Sequence, residues 1–109
     1  MPMVTRYASA TRLLPDQADT YLELHAEVWP VVKEAIAAHH IRNHSIHRYG
    51  DILFRYYEYD GLDHDADMDA LGRDARVAEW NKVTAACQEP LPEAGGSIWT
   101  SVPEICYLP

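Results

Sequence analysis

The sequence predicts a single α+β domain whose elements follow the order β-α-β-β-α-β. Three features lead to this prediction: a long amphipathic stretch in the first third, two β-rich runs around a Gly-Asp turn, and a second amphipathic stretch behind an aspartate. This order is the split βαβ, ferredoxin-like arrangement, in which one antiparallel sheet carries two helices on one face. The 109 residues suit one domain spanning residues 1–109.

The first part of the chain predicts a strand and then a long helix. Val4–Leu13 contains Val, Thr and Tyr, and Pro15-Asp16 suits a first helical turn. Pro30 lacks the N–H that would bond the carbonyl one turn earlier, so we expect a bend or restart at Val28–Pro30. The helix itself is predicted from apolar-face positions that recur at three- and four-residue steps on both sides of Pro30. These positions are Ala18, Tyr21, Leu22, His25, Val28, Trp29, Val32, Ala35, Ile36 and His39.

The middle of the chain predicts a β-hairpin. Asn43–Tyr49 and Ile52–Tyr59 are rich in β-forming residues, and Gly50-Asp51 between them is typical of a tight turn. Both strands place bulky side chains on both faces. Because the helices cover one face only, we expect a second subunit to cover the other.

The last part predicts a second helix and a final strand. The acidic stretch Gly61–Asp69 reads as a solvated loop that runs into a short helix. Asp74 has the character of an N-cap for a helix over Ala75–Gln88. A turn at Glu93–Ser97 and a strand over Ile98–Leu108 complete the predicted order.

Charge and cysteine content exclude several functions. The formal net charge of −8, without a basic cluster, argues against binding to nucleic acid or to an anionic membrane. No signal-peptide pattern and no long apolar run is present. Cys87 and Cys106 lack any motif spacing, so we expect a cytoplasmic protein with both thiols reduced.

The motifs of redox, phosphoryl and nucleotide chemistry are missing from the sequence, which leaves cofactor-free acid–base chemistry or plain binding. Four histidines cluster around the start of the hairpin, but their spacing matches no zinc signature and no metal site is predicted. They are His39, His40, His44 and His47. His44 alone, pointing into a pocket on the sheet, remains a candidate ligand contact.

His25 is the strongest candidate for chemistry. It lies four residues from both Tyr21 and Trp29, so the three side chains share the apolar stripe. Either the imidazole packs quietly in the core, or this face lines a pocket in which it transfers protons. Trp80-Asn81 has the same ambiguity: core packing, or a flat surface against a sugar ring with Asn81 bonding to hydroxyls.

These residues resemble a known family. The segment His25-Ala-Glu-Val-Trp29-Pro30 is similar to the H-x-x-[IV]-W-P segment of L-rhamnose mutarotases. The resemblance continues through Asn43–Tyr49, the helix with Trp80, and the terminal Tyr107-Leu-Pro109. It implies a dimeric ferredoxin-like fold of the α/β-barrel type. It also implies cofactor-free interconversion of the α and β anomers of L-rhamnose or a related 6-deoxy-hexose.

The resemblance also assigns site residues. The catalytic histidine, a proton donor, falls on His25, and a substrate-contacting tyrosine falls on Tyr21. A second such tyrosine falls on His44, and a tandem tryptophan pair falls on Trp80 and Asn81. The two departures leave the sugar open, with L-fucose or another pyranose as alternatives to L-rhamnose.

The predicted chemistry is acid–base ring opening. His25 donates a proton to the ring oxygen, and Tyr21 or His44 helps to move or hold the second proton. Two alternatives remain open at this point. One is a cofactor-free monooxygenase of the dimeric ferredoxin-like type, and the other is a small-ligand binding module in which His25 is only packed.

Overall fold

A computed structural model describes residues 4–92, 95 and 97–109 of the chain. The elements follow the predicted β-α-β-β-α-β order, with each predicted helix present as two and with a short additional strand before the last one. They are β1 (Thr5–Leu13), α1 (Ala18–Ala26), α2 (Pro30–Ala38), β2 (Ile41–Tyr49), β3 (Ile52–Tyr59), α3 (His64–Arg73), α4 (Ala75–Ala85), β4 (Gln88–Glu89) and β5 (Thr100–Val102). No helix in the described part of the chain is long and apolar enough to span a membrane.

The sheet is antiparallel, with the strand order β2-β3-β1-β4 and with β5 also paired to β1. Tyr57 pairs with Tyr7 and Arg55 with Ser9, so these side chains share the face that the helices cover, which we call the inner face. The β2–β3 register shifts between Arg42 and Ser45. Asn43 has a φ of 50° within this bulge. The fold is therefore ferredoxin-like, as predicted.

Two helices were expected on the sheet, and each is divided. The first is interrupted between Ala26 and Pro30, and Pro30 begins α2, where its missing N–H is harmless. This confirms the restart predicted at Val28–Pro30. The second helical unit divides at Asp74, whose carboxylate accepts hydrogen bonds from the N–H groups of Arg76 and Val77. The stretch at Gly61–Asp69 is less of a loop than predicted, because α3 already begins at His64.

The strand predicted over Ile98–Leu108 is present but much shorter than predicted. β5 contains only three residues and ends before Pro103, which has no N–H to donate to a ladder. The tail beyond it is held by Arg6, which pairs with Glu104 at 2.7 Å and lies 3.3 Å from the centre of the Tyr107 ring. The turn predicted at Glu93–Ser97 falls mainly on residues 93, 94 and 96, outside the described residues.

The core lies between the inner face and the helices in two clusters. The first joins Leu13 and Leu53 of the sheet to Ala18 and Tyr21 of α1, together with Cys87. The second contains Ile41, Tyr57 and Tyr59, with Ile36 and Met68 packed against it. Between these clusters the inner face carries polar side chains, and this is where the candidate site lies.

The opposite face of the sheet carries exposed apolar side chains. Phe54 and Val102 lie on it, with 44% and 42% of their surface exposed, and Tyr49 is exposed near the hairpin turn. The helices thus cover one face of the sheet and leave bulky side chains uncovered on the other, as the sequence predicted. This face is called the outer face below.

Candidate active site

One large cavity, of about 1090 Å³, lies between the inner face of the sheet and the helices. The cavity brings together every site residue named from the sequence; these are Tyr21, His25, His44, Trp80 and Asn81.

His25 lies in the last turn of α1 and is half-buried at the cavity wall. Its Nδ1 is 2.9 Å from the carbonyl oxygen of Tyr21. Because a carbonyl can only accept, this contact places a hydrogen on Nδ1 and leaves Nε2 as the atom that exchanges protons. Burial lowers the pKa of His25, although the bond to Tyr21 opposes the shift. The ring is therefore mostly neutral at pH 7, with a free lone pair on Nε2.

Tyr21 forms a platform for His25 rather than a second proton carrier. The two rings stack with centroids 4.1 Å apart. The Tyr21 hydroxyl is buried and accepts a hydrogen bond from Nε2 of Gln88 at 3.2 Å. Burial raises the pKa of Tyr21 to about 12, so the phenol stays protonated at neutral pH.

Trp80 packs in the core and also borders the cavity, so the two interpretations of this residue are compatible. Its ring meets His25 edge-on at 5.2 Å and Trp29 at 5.1 Å. Only 7% of Trp80 is exposed. Asn81, the next residue on α4, is exposed and lines the same cavity.

The break before Pro30 leaves a recess beside His25 that Val28 and Trp29 help to line.

His44 reaches the cavity from the bulge in β2. Its ring lies 6.2 Å from that of Tyr57. Although His44 keeps an exposed surface toward the cavity, desolvation lowers its pKa to about 4, and the positive charges of Arg55 and His25 add to the shift. His44 is thus a neutral polar contact at physiological pH.

The other histidines of the cluster point elsewhere. His39 Nδ1 bonds to the carbonyl of Ala35, and His40 lies beside Asp60. His47 contacts Ser45. Within the described residues, no group of three or more His, Cys, Asp or Glu side chains has the arrangement of a metal site.

Several cavity residues were not identified from the sequence. Arg55 and Tyr57 point inward from β3, and Trp99 borders Arg55. Tyr57 Oη lies 2.7 Å from His64 Nε2, and the His64 ring stacks on Tyr7 with centroids 3.9 Å apart. The alternation of β3 already put Arg55 and Tyr57 on one face. That signal would have identified both residues had this face been assigned to the pocket.

The sequence comparisons with known proteins agree on one family. A family model described as L-rhamnose mutarotase matches residues 6–108. An L-rhamnose mutarotase from Listeria monocytogenes is 30% identical over 105 residues, which cover 94% of this chain and 97% of that relative.

Solved structures support the fold. The L-rhamnose mutarotase of Formosa agariphila has a TM-score of 0.74 at 20% identity, covering 96% of this chain and 99% of that one. Tetracenomycin F2 cyclase from Streptomyces glaucescens, a type-II polyketide cyclase, has a TM-score of 0.68 at 18% identity, covering 96% and 99%. At these low sequence identities the solved structures support only the fold. The assignment of the chain to a family therefore rests on the family model and on the relative that is 30% identical. The chain belongs to the L-rhamnose mutarotase family, whose members are isomerases that act on carbohydrates.

Proposed function

We propose that this chain interconverts the α and β anomers of L-rhamnose or a related 6-deoxy-hexose without a cofactor. The observation that carries the proposal is the state of His25. Its Nδ1 is committed to the Tyr21 carbonyl, its Nε2 is left for a ligand, and its ring is held between Tyr21 and Trp80 at the wall of a large cavity. An oriented, neutral imidazole in a partly dry pocket suits proton transfer near neutral pH.

The proposed cycle uses His25 as both acceptor and donor. Nε2 takes the proton of the anomeric hydroxyl, and the imidazolium formed in place gives it to the ring oxygen as the C1–O5 bond breaks. The sugar is now an open aldehyde and His25 is neutral again. Rotation about C1–C2 and the reverse steps close the ring on the other face of the carbonyl. The proton donation to the ring oxygen that the sequence predicted for His25 is the step in this cycle that follows removal of the hydroxyl proton.

The neighbouring residues bind and orient the sugar in this proposal. Trp80 presents its ring beside His25, and Asn81 and His44 offer hydrogen bonds to hydroxyl groups. Tyr21 does not exchange its proton, because its pKa is about 12 and its hydroxyl already accepts from Gln88. It fixes the plane of the imidazole instead.

Anomer exchange measured by NMR saturation transfer tests the proposal directly. We expect the protein to accelerate exchange of L-rhamnose, L-fucose or another aldose in a panel, above the rate in buffer. A protein that binds these sugars without accelerating exchange is a binding module. Oxygen consumption with an aromatic substrate and no effect on sugars would identify a monooxygenase instead.

The pH dependence of kcat/KM tests the state of His25. Because burial lowers the pKa of His25 below its usual 6.5, the neutral form persists through neutral pH. We therefore expect a rate that is flat around pH 7 and falls about tenfold per pH unit once the pH drops below that pKa. Buffer catalysis is subtracted at each pH. A rate that climbs as the pH falls below 6.5 would show that imidazolium is the resting reactant and would contradict this cycle.

We also propose that the protein is a homodimer joined through the outer face. Phe54, Val102 and Tyr49 leave an apolar surface exposed there that a second copy would bury. Sedimentation equilibrium should give about twice the 12.4 kDa of one chain, and Phe54→Asp should shift the mass toward one chain. A wild-type mass of one chain at micromolar concentration contradicts the proposal.

The free thiols of Cys87 and Cys106 support a reducing, cytoplasmic location.

A further inference from the structure

Arg55 is held rigidly inside the cavity. It points inward from β3, and its Nε donates to Ser9 Oγ at 3.0 Å. Its guanidinium carbon lies 4.4 Å from the centre of the Trp99 ring and 5.6 Å from that of Tyr57. The hydrogen bond to Ser9 and the neighbouring aromatic rings restrict the plane of the guanidinium. A guanidinium restricted in this way loses little conformational entropy when it binds a planar anionic group of a ligand.

Arg55 lacks a charge partner among the described residues. Five other arginines each have a carboxylate within 4.0 Å, but no described carboxylate comes within that distance of Arg55; the five are Arg6, Arg12, Arg42, Arg73 and Arg76. Guanidinium remains protonated in proteins even where burial lowers its pKa, as it does here. The cavity therefore contains a positive charge that has no carboxylate within 4.0 Å among the described residues.

The donors of Arg55 face the open part of the cavity. In the described part of the chain, the only side-chain nitrogen or oxygen atoms that are both buried and unbonded belong to Asp60 and Thr100. The terminal nitrogens of Arg55 make no hydrogen bond to a described residue, so they are accessible from the cavity that Arg55 lines. Part of the guanidinium fork is thus open to a ligand in the cavity, and such a planar fork can bind a carboxylate through two parallel hydrogen bonds.

Arg55 lines the same cavity as His25, so a ligand in that cavity can contact both residues. Its charge contributes to the pKa shifts of both His44 and Tyr21. Asp63 and Asp65 line the same cavity, but neither carboxylate lies within 4.0 Å of the Arg55 guanidinium. Asp63 accepts from the N–H of Ala66, and the Asp65 side chain is fully exposed.

We propose that Arg55 forms a carboxylate subsite, so that the sugars this chain accepts extend from 6-deoxy-hexoses to hexuronates, which are aldoses with a carboxylate at C6. The inference rests on the proposed mutarotase function, since His25 would act on C1 while Arg55 holds C6. A single cation suits the single charge of a carboxylate better than a sugar phosphate, because Arg55 is the only Arg or Lys among the described residues that line the cavity.

Matched sugar pairs test this inference. D-Glucuronate with D-glucose, and D-galacturonate with D-galactose, differ only at C6, so the ratio of their kcat/KM values isolates the carboxylate. We expect a ratio of about ten or more at low ionic strength after subtraction of the rate in buffer. The ratio should shrink as salt is added, and glucose 6-phosphate should not match glucuronate.

Three variants show whether Arg55 causes the preference. Arg55→Gln should bring the ratio to about one, and Arg55→Lys should keep part of it, because it retains the charge but loses the fork. Arg48→Gln is the matched control: Arg48 is exposed, also lacks a carboxylate partner among the described residues, and donates to the Gly50 carbonyl, so its variant should keep the wild-type ratio.

The outcomes separate the two proposals. Exchange of neutral hexoses at least as fast as of uronates, or an equal loss for both in Arg55→Gln, overturns the carboxylate subsite and leaves the mutarotase function standing. If no sugar exchanges faster than in buffer, the mutarotase function fails. Titration calorimetry with the two uronates then decides the subsite: binding by the wild type and not by Arg55→Gln supports it, and equal or absent binding overturns it.

Discussion

Replacing His25 by asparagine should lower the enzyme-catalysed rate of L-rhamnose anomer exchange by roughly 10²–10⁴-fold. Asparagine is polar and smaller than histidine, and its amide cannot take up a proton near neutral pH. The loss should appear in kcat, with KM changed much less, because Trp80, Asn81 and His44 still line the cavity. Saturation transfer at several sugar concentrations separates the two parameters.

His39 provides the matched control for this experiment. It also lies at the C-terminal end of a helix, as the residue that follows α2, and its Nδ1 also bonds to the carbonyl four residues earlier, at 2.7 Å from Ala35 O. It does not line the cavity. His39→Asn should therefore retain the wild-type exchange rate. Wild-type exchange in His25→Asn, or an equal loss in both variants, would remove the proton-transfer role from His25.

The fold was predictable because its signals are local. The helical period from Ala18 onward and the β-rich runs around Gly50-Asp51 each depend on neighbouring residues only. The C-terminal strand is shorter than predicted for the converse reason. Residues near Ile98–Leu108 resemble a strand, but the pairing with β1 covers only Ala8, Ser9 and Ala10, and Pro103 removes the next donor.

The site was predictable where a motif lies on one helix face. Tyr21 and His25 are four residues apart on α1, so their stacking follows from helix geometry. Arg55 and His64 were missed because their roles depend on how distant segments meet. The acidic stretch around His64 reads as solvated, yet α3 folds back so that His64 packs on Tyr7 and reaches Tyr57. Composition carries no information about that contact.

The hydrophobic cluster under Tyr21 links the stability of the fold to the site. Leu53 is 2% exposed and belongs to the cluster that includes Leu13, Tyr21 and Cys87. Tyr21 in turn carries His25 on its ring. A cavity at position 53 therefore lies in the cluster that supports the proposed catalytic imidazole.

Leu53→Ala should lower the free energy of unfolding by about 2–5 kcal/mol, the cost of lost apolar burial plus an unfilled cavity. This is a large share of the total, since domains of this size are stable by only about 5–15 kcal/mol. Urea unfolding followed by fluorescence measures the change. Leu22→Ala, on the exposed side of α1 with 49% of the residue accessible, should change it by less than about 0.5 kcal/mol. Equal losses in the two variants would contradict the assignment of the core, because only Leu53 belongs to the cluster on which Tyr21 and then His25 rest.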